Sequence, residues 1–480
     1  MSFTSKLARL LPKGALISDR ERLRPYECDA LSAYRQVPRL VVLPDTREQV
    51  QSVLRLCQAE GVPVVARGAG TGLSGGALPL ADGVLLNLAR FNRILNLDPA
   101  NRCASVEPGV RNIEISEAAA PHGLYYAPDP SSQIACTIGG NVAENSGGVH
   151  CLKYGLTVNN LLALSVLTMA GELLELGGPL DRPGYDLLAL ITGSEGLLGI
   201  IVAATVKLLP IPPTAQVLLA SFSRVEDAGN AVAAVIGAGI IPAGLEMMDR
   251  LAIQAAEDYS HAGYPRDAEA VLICELDGLP EEIDEQMQRV RTLLKAEGAG
   301  ALRLARDEVE RRQLWAGRKA AFPAVGRLAP DYYCMDGTIP RGQLAPVLSG
   351  IKTLSNRYGL AVANVFHAGD GNLHPLILYD ANQSGQLEQA EALGGAILEL
   401  CVSVGGTITG EHGVGVEKLK QMCVQFSGAE LAQFHAVKRA FDPAGLLNPG
   451  KAIPSLRRCA ELGAMHVHAG RLPHPELERF

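Results

Sequence analysis

The sequence predicts an α+β protein with two packed domains followed by a C-terminal segment. Its 480 residues exceed what one hydrophobic core usually organises, and 48% hydrophobic with 20% charged residues is typical of folded proteins. Short β-prone runs separated by glycine-rich stretches fill residues 1–215, whereas longer helical patterns alternate with strands over residues 216–425. Residues 426–480 return to helix and end in a tail with little apolar periodicity.

The first domain opens with a predicted amphipathic helix between Asp45 and Gly61. Apolar residues recur there at helical spacing, and Asp45 and Glu48 are spaced as a capping box. Gly61 ends the helix, and the β-prone run 62–66 delivers the chain into a glycine-rich loop, Arg67–Gly76. The other strands predicted in this half are 84–88, 104–106, 161–169 and 198–208.

The second domain is predicted to begin after Pro210-Ile-Pro-Pro213, a stiff stretch that suits a domain boundary. The order of strands and helices that follows matches the split βαβ, ferredoxin-like arrangement. The elements are strand 217–222, helix 225–238, strand 244–248, strand 271–276, helix 281–296 and strand 301–305. Two further helices, 307–320 and 341–358, flank a predicted strand at 332–339, and a strand from Leu360 precedes a histidine-rich motif.

Composition and charge exclude several classes of function. Lys plus Arg is 43 and Asp plus Glu is 51, a net charge of −8 without a long basic run, so nucleic acid is not an expected partner. The ten cysteines form no CxxC pair, so we expect no iron–sulfur ligand set in this chain. No signal peptide or sufficiently long apolar stretch is visible, which predicts a reduced, cytoplasmic protein without a membrane span.

The glycine loop Arg67–Gly76 is the first chemical signal. Its segment Gly70–Gly75 formally satisfies GxGxxG, but a Rossmann site needs a helix to begin at the glycines, and Gly76, Pro79 and Gly83 follow instead. We favour a nest of backbone amides that holds a phosphate, with a Ser or Thr hydroxyl as an added donor. A glycine-rich turn without a ligand remains the alternative.

Further clusters of small and polar residues favour a long ligand over a single phosphate. They lie at Pro128–Ser132, Thr137–Asn141 with Asn145–Gly148, and Gly193–Gly196 with Gly199–Ile201. A dinucleotide laid across an α+β surface needs donors and acceptors at several dispersed points, and an extended flavin dinucleotide fits this pattern. No GxxxxGK[ST] motif supports a P-loop nucleotidase.

Two histidine motifs in the second half predict a metal site with a base beside it. His367 and His374 lie seven residues apart across a Gly-Asp-Gly turn, and Glu411 and His412 are adjacent between glycines. Two imidazoles and one carboxylate form an open ligand set for a divalent ion, with His412 as a free base for a hydroxyl proton. The plainer interpretation is that these histidines cap turns or pack as neutral side chains.

Arg318, on a predicted helix, is the expected anchor for a substrate carboxylate. Only a planar guanidinium binds a carboxylate bidentately, so we rank Arg318 above the neighbouring Lys319. Most arginines in such positions are simply solvated.

Together these motifs resemble the vanillyl-alcohol-oxidase-type FAD enzymes, in the branch that contains D-lactate, D-2-hydroxyglutarate and glycolate dehydrogenases. The resemblance covers nearly the whole chain from Pro38, and long runs such as RGAGTGLSGGALPL, GGVHCLKYGLTV, FHAGDGNLHPLI and GEHGVG carry it.

The resemblance implies an FAD-binding domain of two α+β subdomains, a ferredoxin-like cap over the flavin, and a C-terminal segment that returns to the FAD domain. It also implies a divalent metal, with zinc the expected ion, held by His367, His374 and Glu411, with His412 as base and Arg318 as carboxylate anchor. The residues implied to bind FAD are Arg67, Gly68, Ala69, Gly70, Thr71, Gly72, Leu73, Ser74, Gly75, Pro128, Asp129, Ser132, Thr137, Gly139, Gly140, Asn141, Asn145, Gly147, Gly148, Tyr154, Gly155, Glu195, Gly199, Ile200, Ile201 and Asn448.

Two departures from the family pattern narrow the expectation. Where the 2-hydroxyglutarate branch has a lysine and an asparagine, this chain has Cys334 and Leu376, so a second substrate carboxylate would lack polar partners. We therefore expect a short 2-hydroxy acid, glycolate or D-lactate. Loop 67–76 has no histidine for a covalent flavin link, so FAD should be non-covalent.

The expected reaction is oxidation of glycolate to glyoxylate, or of D-lactate to pyruvate, by metal-assisted proton abstraction and hydride transfer to flavin N5. The resemblance implies that an iron–sulfur subunit and a second FAD-domain subunit take the electrons, with membrane association only through these partners. The tail 455–480, with His466 and His468, is a candidate docking segment. The alternatives are a D-lactate dehydrogenase without partner subunits, a non-catalytic FAD-binding subunit, and a metal-dependent hydrolase.

Overall fold

The computed structural model describes residues 1–178 and 184–454. Its contacts divide the chain into two units. The first unit comprises Met1–Gly147, Leu156–Pro210 and the chain from His412 onward, and the second unit comprises Gly148–Gly155 and Ile211–Glu411. Of the four division points, one lies inside the proline-rich stretch 210–213, and the last, between residues 411 and 412, precedes the expected boundary at 425.

Both units contain short and long strands. They are β1 Leu16–Ile17, β2 Leu40–Val42, β3 Val64–Arg67, β4 Val84–Asn87, β5 Ile94–Asp98, β6 Cys103–Val106, β7 Leu124–Tyr125, β8 Leu161–Leu167, β9 Leu173–Gly177, β10 Ile200–Lys207, β11 Leu209–Pro210, β12 Thr214–Phe222, β13 Gly244–Asp249, β14 Ala270–Gly278, β15 Leu302–Leu304, β16 Asp331–Cys334, β17 Gly337–Thr338, β18 Val362–His367, β19 Asn372–Leu373 and β20 Pro375–Tyr379.

The helices are distributed over both units. They are α1 Phe3–Leu10, α2 Arg20–Leu23, α3 Arg47–Glu60, α4 Asn112–Ala119, α5 Ile138–Glu144, α6 Cys151–Tyr154, α7 Leu187–Ile191, α8 Val225–Gly237, α9 Arg250–Ser260, α10 Pro280–Ala296, α11 Glu308–Lys319, α12 Ala321–Val325, α13 Leu344–Tyr358, α14 Gln386–Ser403, α15 Leu419–Gln425 and α16 Gly428–Phe441. Within the two described ranges, every helix is too short or too polar to cross a bilayer.

The first unit contains two principal sheets. One has the order β1-β2-β4-β3, with β2, β4 and β3 parallel, and the other has the antiparallel order β5-β6-β10-β8-β9. The strands β2 and β4 are buried along their whole length, as expected for the continuous apolar runs of a covered parallel sheet. The unit is therefore α+β, as predicted.

The predicted helix at 45–61 is confirmed, but its predicted cap is wrong. Helix α3 begins at Arg47, and its N-cap is Thr46, whose Oγ1 accepts from the Gln49 N–H at 3.3 Å. Asp45 lies one residue outside and pairs with Arg90 at 2.9 Å. Both residue types cap helices well, so the local sequence did not distinguish them.

The second unit contains a four-strand ferredoxin-like arrangement. The strands β15, β12, β14 and β13 are neighbours in that order and are all antiparallel, which is the order expected from the split βαβ pattern. The sheet continues beyond β13 into β18, β19 and β17, and β18 also pairs with β20. This extension places the histidine-rich segment directly against the ferredoxin-like strands.

Two local differences from the sequence expectation affect this unit. Helix α9 was not predicted from the sequence. The Asp249 side chain caps this helix and accepts from the Ala252 N–H at 3.1 Å. The buried face of α9 consists largely of alanines, which give a weak apolar signal. The strand predicted over 332–339 is divided into β16 and β17. The interruption lies at Asp336, whose side chain is turned to a backbone loop instead of continuing the ladder.

Candidate metal and cofactor sites

The β18–β19 hairpin brings His367 and His374 together. His367 ends β18 and pairs with Asn372 of β19, so His374 follows two residues later on the returning strand. The two imidazole rings lie edge to face, with centroids 5.1 Å apart. Gly371 between them has φ +82°, and a Cβ there would lie 2.2 Å from the Ile339 carbonyl oxygen, so this tight turn requires glycine.

Glu411 completes a group of three potential ligands. Its Oε1 lies 3.4 Å from His367 Nε2 and 3.0 Å from His374 Nε2, and the ligand atoms of the three residues lie within 4.8 Å of one another. Asp336 holds the loop that carries Glu411, since its carboxylate accepts from the Gly410 N–H at 3.0 Å and the Glu411 N–H at 3.2 Å. The predicted strand is therefore interrupted where the Asp336 side chain binds the loop that carries Glu411.

The charges of this cluster stabilise one another in a buried environment. Burial opposes ionisation of Glu411, but hydrogen bonds and charge from His367 and His374 outweigh it and hold the pKa of Glu411 well below its usual range. Burial likewise opposes the charged form of His367, yet the neighbouring carboxylates raise the pKa of His367 well above its usual range. The buried carboxylate of Glu411 and the imidazole of His367 therefore each favour the charged form of the other.

The donor set fits a divalent ion. Ligand atoms bound to one tetrahedral zinc at about 2.0–2.1 Å lie roughly 3.3 Å apart, close to the distances that separate Glu411 from the two imidazoles. Three protein ligands would leave a position open for another molecule, as is typical of catalytic sites.

Glu246 is a member of this cluster that sequence reasoning missed. It lies on β13 directly opposite His367 on β18, and its Oε1 is 2.7 Å from His367 Nδ1. Its Oε2 is 2.6 Å from a terminal nitrogen of Arg318. The available signal was a lone glutamate inside the apolar run Gly244–Asp249, where a charge is unexpected unless it is paired.

Arg318 is buried on α11 and is not one of the solvated arginines that usually occupy such positions. Its side chain is 1% exposed, and its Nε has no hydrogen-bond partner among the described residues. The ion pair with Glu246 compensates its charge, while the free Nε leaves capacity for an acceptor. Its assignment as a carboxylate anchor stays a prediction.

His412 follows Glu411 in the chain and belongs to the first unit. Gly413, with φ +82°, comes next, and a Cβ there would lie 2.2 Å from Glu144 Oε2. The role of His412 as a base also stays a prediction.

The glycine loop of the first unit contains no helix over residues 68–83, all of which are described. This excludes the Rossmann arrangement at this loop. Gly70 and Gly75 have φ +73° and +76°, and the Ser74 carbonyl accepts from the Val416 N–H at 3.0 Å. The loop is therefore packed against the chain segment that follows GEHGVG.

Several predicted FAD-binding residues meet within the first unit. A Cβ on Gly68 would lie 2.1 Å from Thr137 Oγ1, so these two predicted positions are in close contact. Asn448, with φ +42°, donates from Nδ2 to the carbonyls of Gly76 at 3.0 Å and Glu195 at 2.7 Å. The loops that carry these residues thus converge, although they are distant in sequence.

Other predicted cofactor residues have structural partners or lie elsewhere. The Asn141 side chain accepts from Asn112 Nδ2 at 3.1 Å, and the Asn145 side chain accepts from the Val158 N–H at 2.9 Å. Gly148, Tyr154 and Gly155 belong to the second unit, where the Tyr154 hydroxyl donates to Asp277 at 2.6 Å.

The remaining predicted cofactor residues lie in loops, in helix α5 or at the start of a strand. Ile200 and Ile201 begin β10 and are buried, and a Cβ on the preceding Gly199 would lie 2.4 Å from Val166. The others lie in the glycine loop, in the segment 128–132, within α5 and in the segment after α5: Ala69, Thr71, Gly72, Leu73, Pro128, Asp129, Ser132, Gly139, Gly140 and Gly147.

Orphaned polar atoms support the fit of a cofactor to the first unit. Among the described residues, Ser74 Oγ, Thr137 Oγ1 and Asn448 Oδ1 are buried without a hydrogen-bond partner. Buried hydroxyls and amides are normally satisfied, so their clustering at predicted cofactor positions indicates a missing polar ligand.

A second group of buried charges in the first unit escaped sequence reasoning. The Glu195 carboxylate accepts from the Val414 N–H at 2.8 Å and the Gly415 N–H at 2.7 Å, and Lys451 Nζ donates to the Gly76 carbonyl at 2.8 Å. Burial, followed by the charge of Glu195, raises the pKa of Glu144 well above its usual range. Burial also raises the pKa of Glu195.

Comparison with known protein families assigns the chain to one of them. Residues 38–177 match the profile described as FAD binding domain, and residues 211–452 match the profile described as FAD linked oxidases, C-terminal domain. The chain belongs to the FAD-linked oxidases. It is an FAD-dependent oxidoreductase, and this membership argues against the metal-dependent hydrolase alternative.

Similar full-length proteins include oxidases and dehydrogenases. This FAD-linked oxidase is 67% identical over 461 residues to glycolate oxidase subunit GlcD of Escherichia coli K12, covering 96% of this chain and 92% of that protein. It is 39% identical over 428 residues to GlcD of Bacillus subtilis, covering 89% and 91%. It is 33% identical over 422 residues to a D-lactate dehydrogenase of Archaeoglobus fulgidus, covering 87% and 92%.

Solved structures confirm the expected vanillyl-alcohol-oxidase-type fold. A 4-ethylphenol oxidase from Gulosibacter chungangensis superposes with a TM-score of 0.81 at 19% identity, covering 95% of this FAD-linked oxidase and 97% of that chain. A p-cresol methylhydroxylase superposes with a TM-score of 0.80 at 18% identity over the same shares. At these identities the likeness concerns the fold alone.

Proposed function

We propose that this FAD-linked oxidase oxidises a short 2-hydroxy acid, with glycolate to glyoxylate as the principal reaction. The observation that carries the proposal is the buried group of His367, His374 and Glu411 in an FAD-linked oxidase, with Arg318 held nearby by Glu246. The relative at 67% identity is named a glycolate oxidase subunit, which supports this substrate.

The chain supplies the groups that this oxidation requires. When bound, FAD would supply an acceptor for two electrons, and a divalent ion, expected to be zinc, would supply positive charge for the substrate oxygens. His367, His374 and Glu411 are the proposed holders of the ion, and Arg318 orients the substrate carboxylate through its guanidinium. His412 accepts the proton of the 2-hydroxyl at its imidazole.

The surroundings of Cys334 and Leu376 support a monocarboxylate. These residues face each other in the β16–β20 pair and are buried in the apolar core of the second unit. A second substrate carboxylate near them would lack the lysine and asparagine that the 2-hydroxyglutarate branch has at these positions, and burying it without such partners would cost several kcal/mol. We therefore propose that dicarboxylic hydroxy acids such as 2-hydroxyglutarate are poor substrates.

Electron transfer to partner subunits forms part of the proposal. The sequence offers no CxxC pair for a cluster of its own, and the word subunit in the names of the relatives supports an assembly. We propose an iron–sulfur subunit and a second FAD-domain subunit as partners, with a cytoplasmic chain that reaches a membrane only through them. The candidate docking tail 455–480, with His466 and His468, lies outside the described residues.

D-lactate is the second candidate substrate. The observation that favours it is the 33% identity to a D-lactate dehydrogenase over 87% of the chain. In this alternative, the chain oxidises D-lactate without partner subunits.

Anaerobic reduction of bound flavin tests the proposed function. The purified holoenzyme would be mixed with glycolate, D-lactate, L-lactate and D-2-hydroxyglutarate, before and after treatment with a chelator, while the absorbance of oxidised flavin is followed. We expect fast bleaching by glycolate, slower bleaching by D-lactate, and loss of both after chelation with recovery on adding Zn²⁺. A yellow protein that no 2-hydroxy acid bleaches would instead indicate a non-catalytic FAD-binding subunit.

A further inference from the structure

We propose that Glu246 is a positioning residue that holds a metal ligand and the substrate anchor on one carboxylate. Its Oε1 faces Nδ1 of His367, and its Oε2 faces the guanidinium of Arg318. The inference rests on the proposed function, because it assigns to this glutamate the alignment of both binding groups of the same site.

The backbone fixes Glu246 in this place. Glu246 and His367 are directly paired residues of the antiparallel strands β13 and β18. Three residues further along β13, the Asp249 carboxylate accepts from the Asn364 N–H at 2.9 Å and from Asn364 Nδ2 at 2.8 Å. This side-chain link secures the register of the two strands, and with it the placement of the glutamate opposite the histidine.

The contact at 2.7 Å selects the tautomer of His367 that a ligand needs. When Nδ1–H donates to Glu246 Oε1, the neutral ring carries its lone pair on Nε2, the nitrogen that faces Glu411 at 3.4 Å. A carboxylate behind a ligating imidazole also fixes the ring orientation and increases its basicity. Glu246 thereby prepares His367 to bind a metal through Nε2.

The second oxygen of Glu246 compensates the charge of Arg318. Both side chains are only 1% exposed, and their closest atoms lie 2.6 Å apart. A buried guanidinium without a counter-charge would be strongly unfavourable, whereas this pair leaves Arg318 Nε without a hydrogen-bond partner among the described residues. The anchor is thus held in place with donor capacity remaining for a substrate carboxylate.

An amide at position 246 cannot serve both neighbours. His367 Nδ1–H and Arg318 are both donors, while glutamine offers one acceptor oxygen and one donor NH₂ group. In E246Q, either the NH₂ faces Arg318 and displaces the anchor, or it faces His367 and enforces the tautomer with a proton on Nε2. Metal binding and substrate binding should therefore both respond to one substitution.

The test compares E246Q and E246D with wild type and with E275Q. Glu275 is a matched control, because it is a buried carboxylate on the adjacent strand β14 that pairs with Arg311 at 2.9 Å but lies outside the three-ligand group. Each purified holoenzyme would be measured for flavin content, for Zn²⁺ affinity after chelation by competition with a chromogenic chelator, and for KM and kcat with glycolate.

We expect E246Q to keep its flavin, to lose about 10- to 100-fold in Zn²⁺ affinity and to show an increased KM for glycolate. E246D keeps the charge with a shorter reach, so it should recover part of the affinity. E275Q should match wild type in Zn²⁺ affinity and KM even if its melting temperature falls.

Wild-type Zn²⁺ affinity together with wild-type KM in E246Q would overturn the inference. An equal loss of Zn²⁺ affinity in E275Q would overturn it too, since the effect would then be general destabilisation. If E246Q does not fold, E246D decides by the same two quantities. Failure of the proposed function is distinguishable, because wild type itself would then not bind Zn²⁺ or not be reduced by any 2-hydroxy acid.

Discussion

The two units each contain a group of buried charges, and the two groups are built differently. In the second unit, the carboxylates of Glu246 and Glu411 contact imidazole and guanidinium groups directly. Burial opposes their ionisation, but these cationic partners outweigh it and lower the pKa of both glutamates. The ligand atoms of this group converge on a common point.

In the first unit, the buried charges mainly bind backbone groups. Glu195 accepts from the amides of residues 414 and 415, Lys418 Nζ donates to the Gly413 carbonyl at 2.9 Å, and Lys451 Nζ donates to the Gly76 carbonyl at 2.8 Å. Burial raises the pKa of both Glu144 and Glu195.

The difference is the one expected between a ligand site and a structural crosslink. Charges that bind backbone groups join chain segments distant in sequence and can be satisfied without any added ion. Where the ligand atoms of several side chains lie close together, as those of His367, His374 and Glu411 do, a divalent ion can replace the protons between them. We therefore propose that the second-unit group is the ion-binding part of the site and that the first-unit group of Glu195, Lys418 and Lys451 joins loops.

Replacing the proposed base should have the largest effect on reactivity. In H412A we expect the rate of flavin reduction by glycolate to fall by about 10³-fold or more, because proton abstraction typically contributes 10²–10⁴-fold. Bound FAD and Zn²⁺ affinity should be unchanged. Anaerobic stopped-flow absorbance measures the rate, and H435A is the control, since His435 contacts the Pro454 carbonyl in the first unit. Bleaching at the wild-type rate would refute the assignment.

Arg318 is expected to show a large effect on substrate binding. R318K retains a charge but not the planar fork, so we expect the KM for glycolate to rise at least 10-fold, equivalent to about 1.4 kcal/mol, with smaller changes in kcat. The control is K319R on the same helix, which should leave KM unchanged. An unaltered KM in R318K would remove Arg318 from substrate binding.

Lys451 tests the structural side of the comparison. K451M leaves buried backbone carbonyls without their charged donor, so we expect the free energy of unfolding to fall by about 2–3 kcal/mol. Zn²⁺ affinity should remain at the wild-type value. Urea unfolding followed by fluorescence gives the loss, and K207M, at an exposed lysine, is the matched control. A changed Zn²⁺ affinity in K451M would contradict the proposal that the first-unit group acts only in structure.

Asp249 provides a smaller test based on pH. Its carboxylate accepts from neutral groups, the Ala252 N–H and Asn364, and burial raises the pKa of Asp249 from 3.8 to about 6. Stability contributed by the protonated form is therefore complete below 3.8 and is lost as pH rises through 6. When the pH is raised from 5 to 7, the free energy of unfolding of wild type should fall. That of D249N should fall by about 1 kcal/mol less.

Urea titrations at pH 5 and pH 7 measure this difference. The exposed Asp267 supplies the control D267N, which should follow the wild-type pH dependence. The same pH dependence in D249N and wild type would show that Asp249 does not titrate in this range.

Much of the fold could be predicted because its signals are local. Alternating apolar residues and glycine stops define the ferredoxin-like order of β12 to β15, and the proline-rich stretch at 210–213 contains one of the points where the two units divide. Helix α9 escaped prediction because its buried face consists largely of small alanines. The interruption at Asp336 also escaped, since its cause is a loop more than seventy residues away.

The residues of the candidate site also differ in how well they could be predicted from local sequence. His367, His374 and Glu411 could be predicted because each lies beside glycines in a recognisable motif. Glu246 offered only the local signal of a charge among apolar residues, and its partner could not be predicted, because β13 and β18 pair across a sequence separation of 121 residues. Register between distant strands is a property of the folded sheet, and no local pattern around Glu246 encodes it.

Metal analysis of wild type and H374A tests the central claim most directly. Each protein would be stripped with chelator, loaded with Zn²⁺, freed of excess ion and assayed for zinc and flavin, with H435A as control. The account predicts one zinc per flavin in wild type and in H435A, and no stoichiometric zinc with retained flavin in H374A. Equal zinc in wild type and H374A, or none in either, would contradict it.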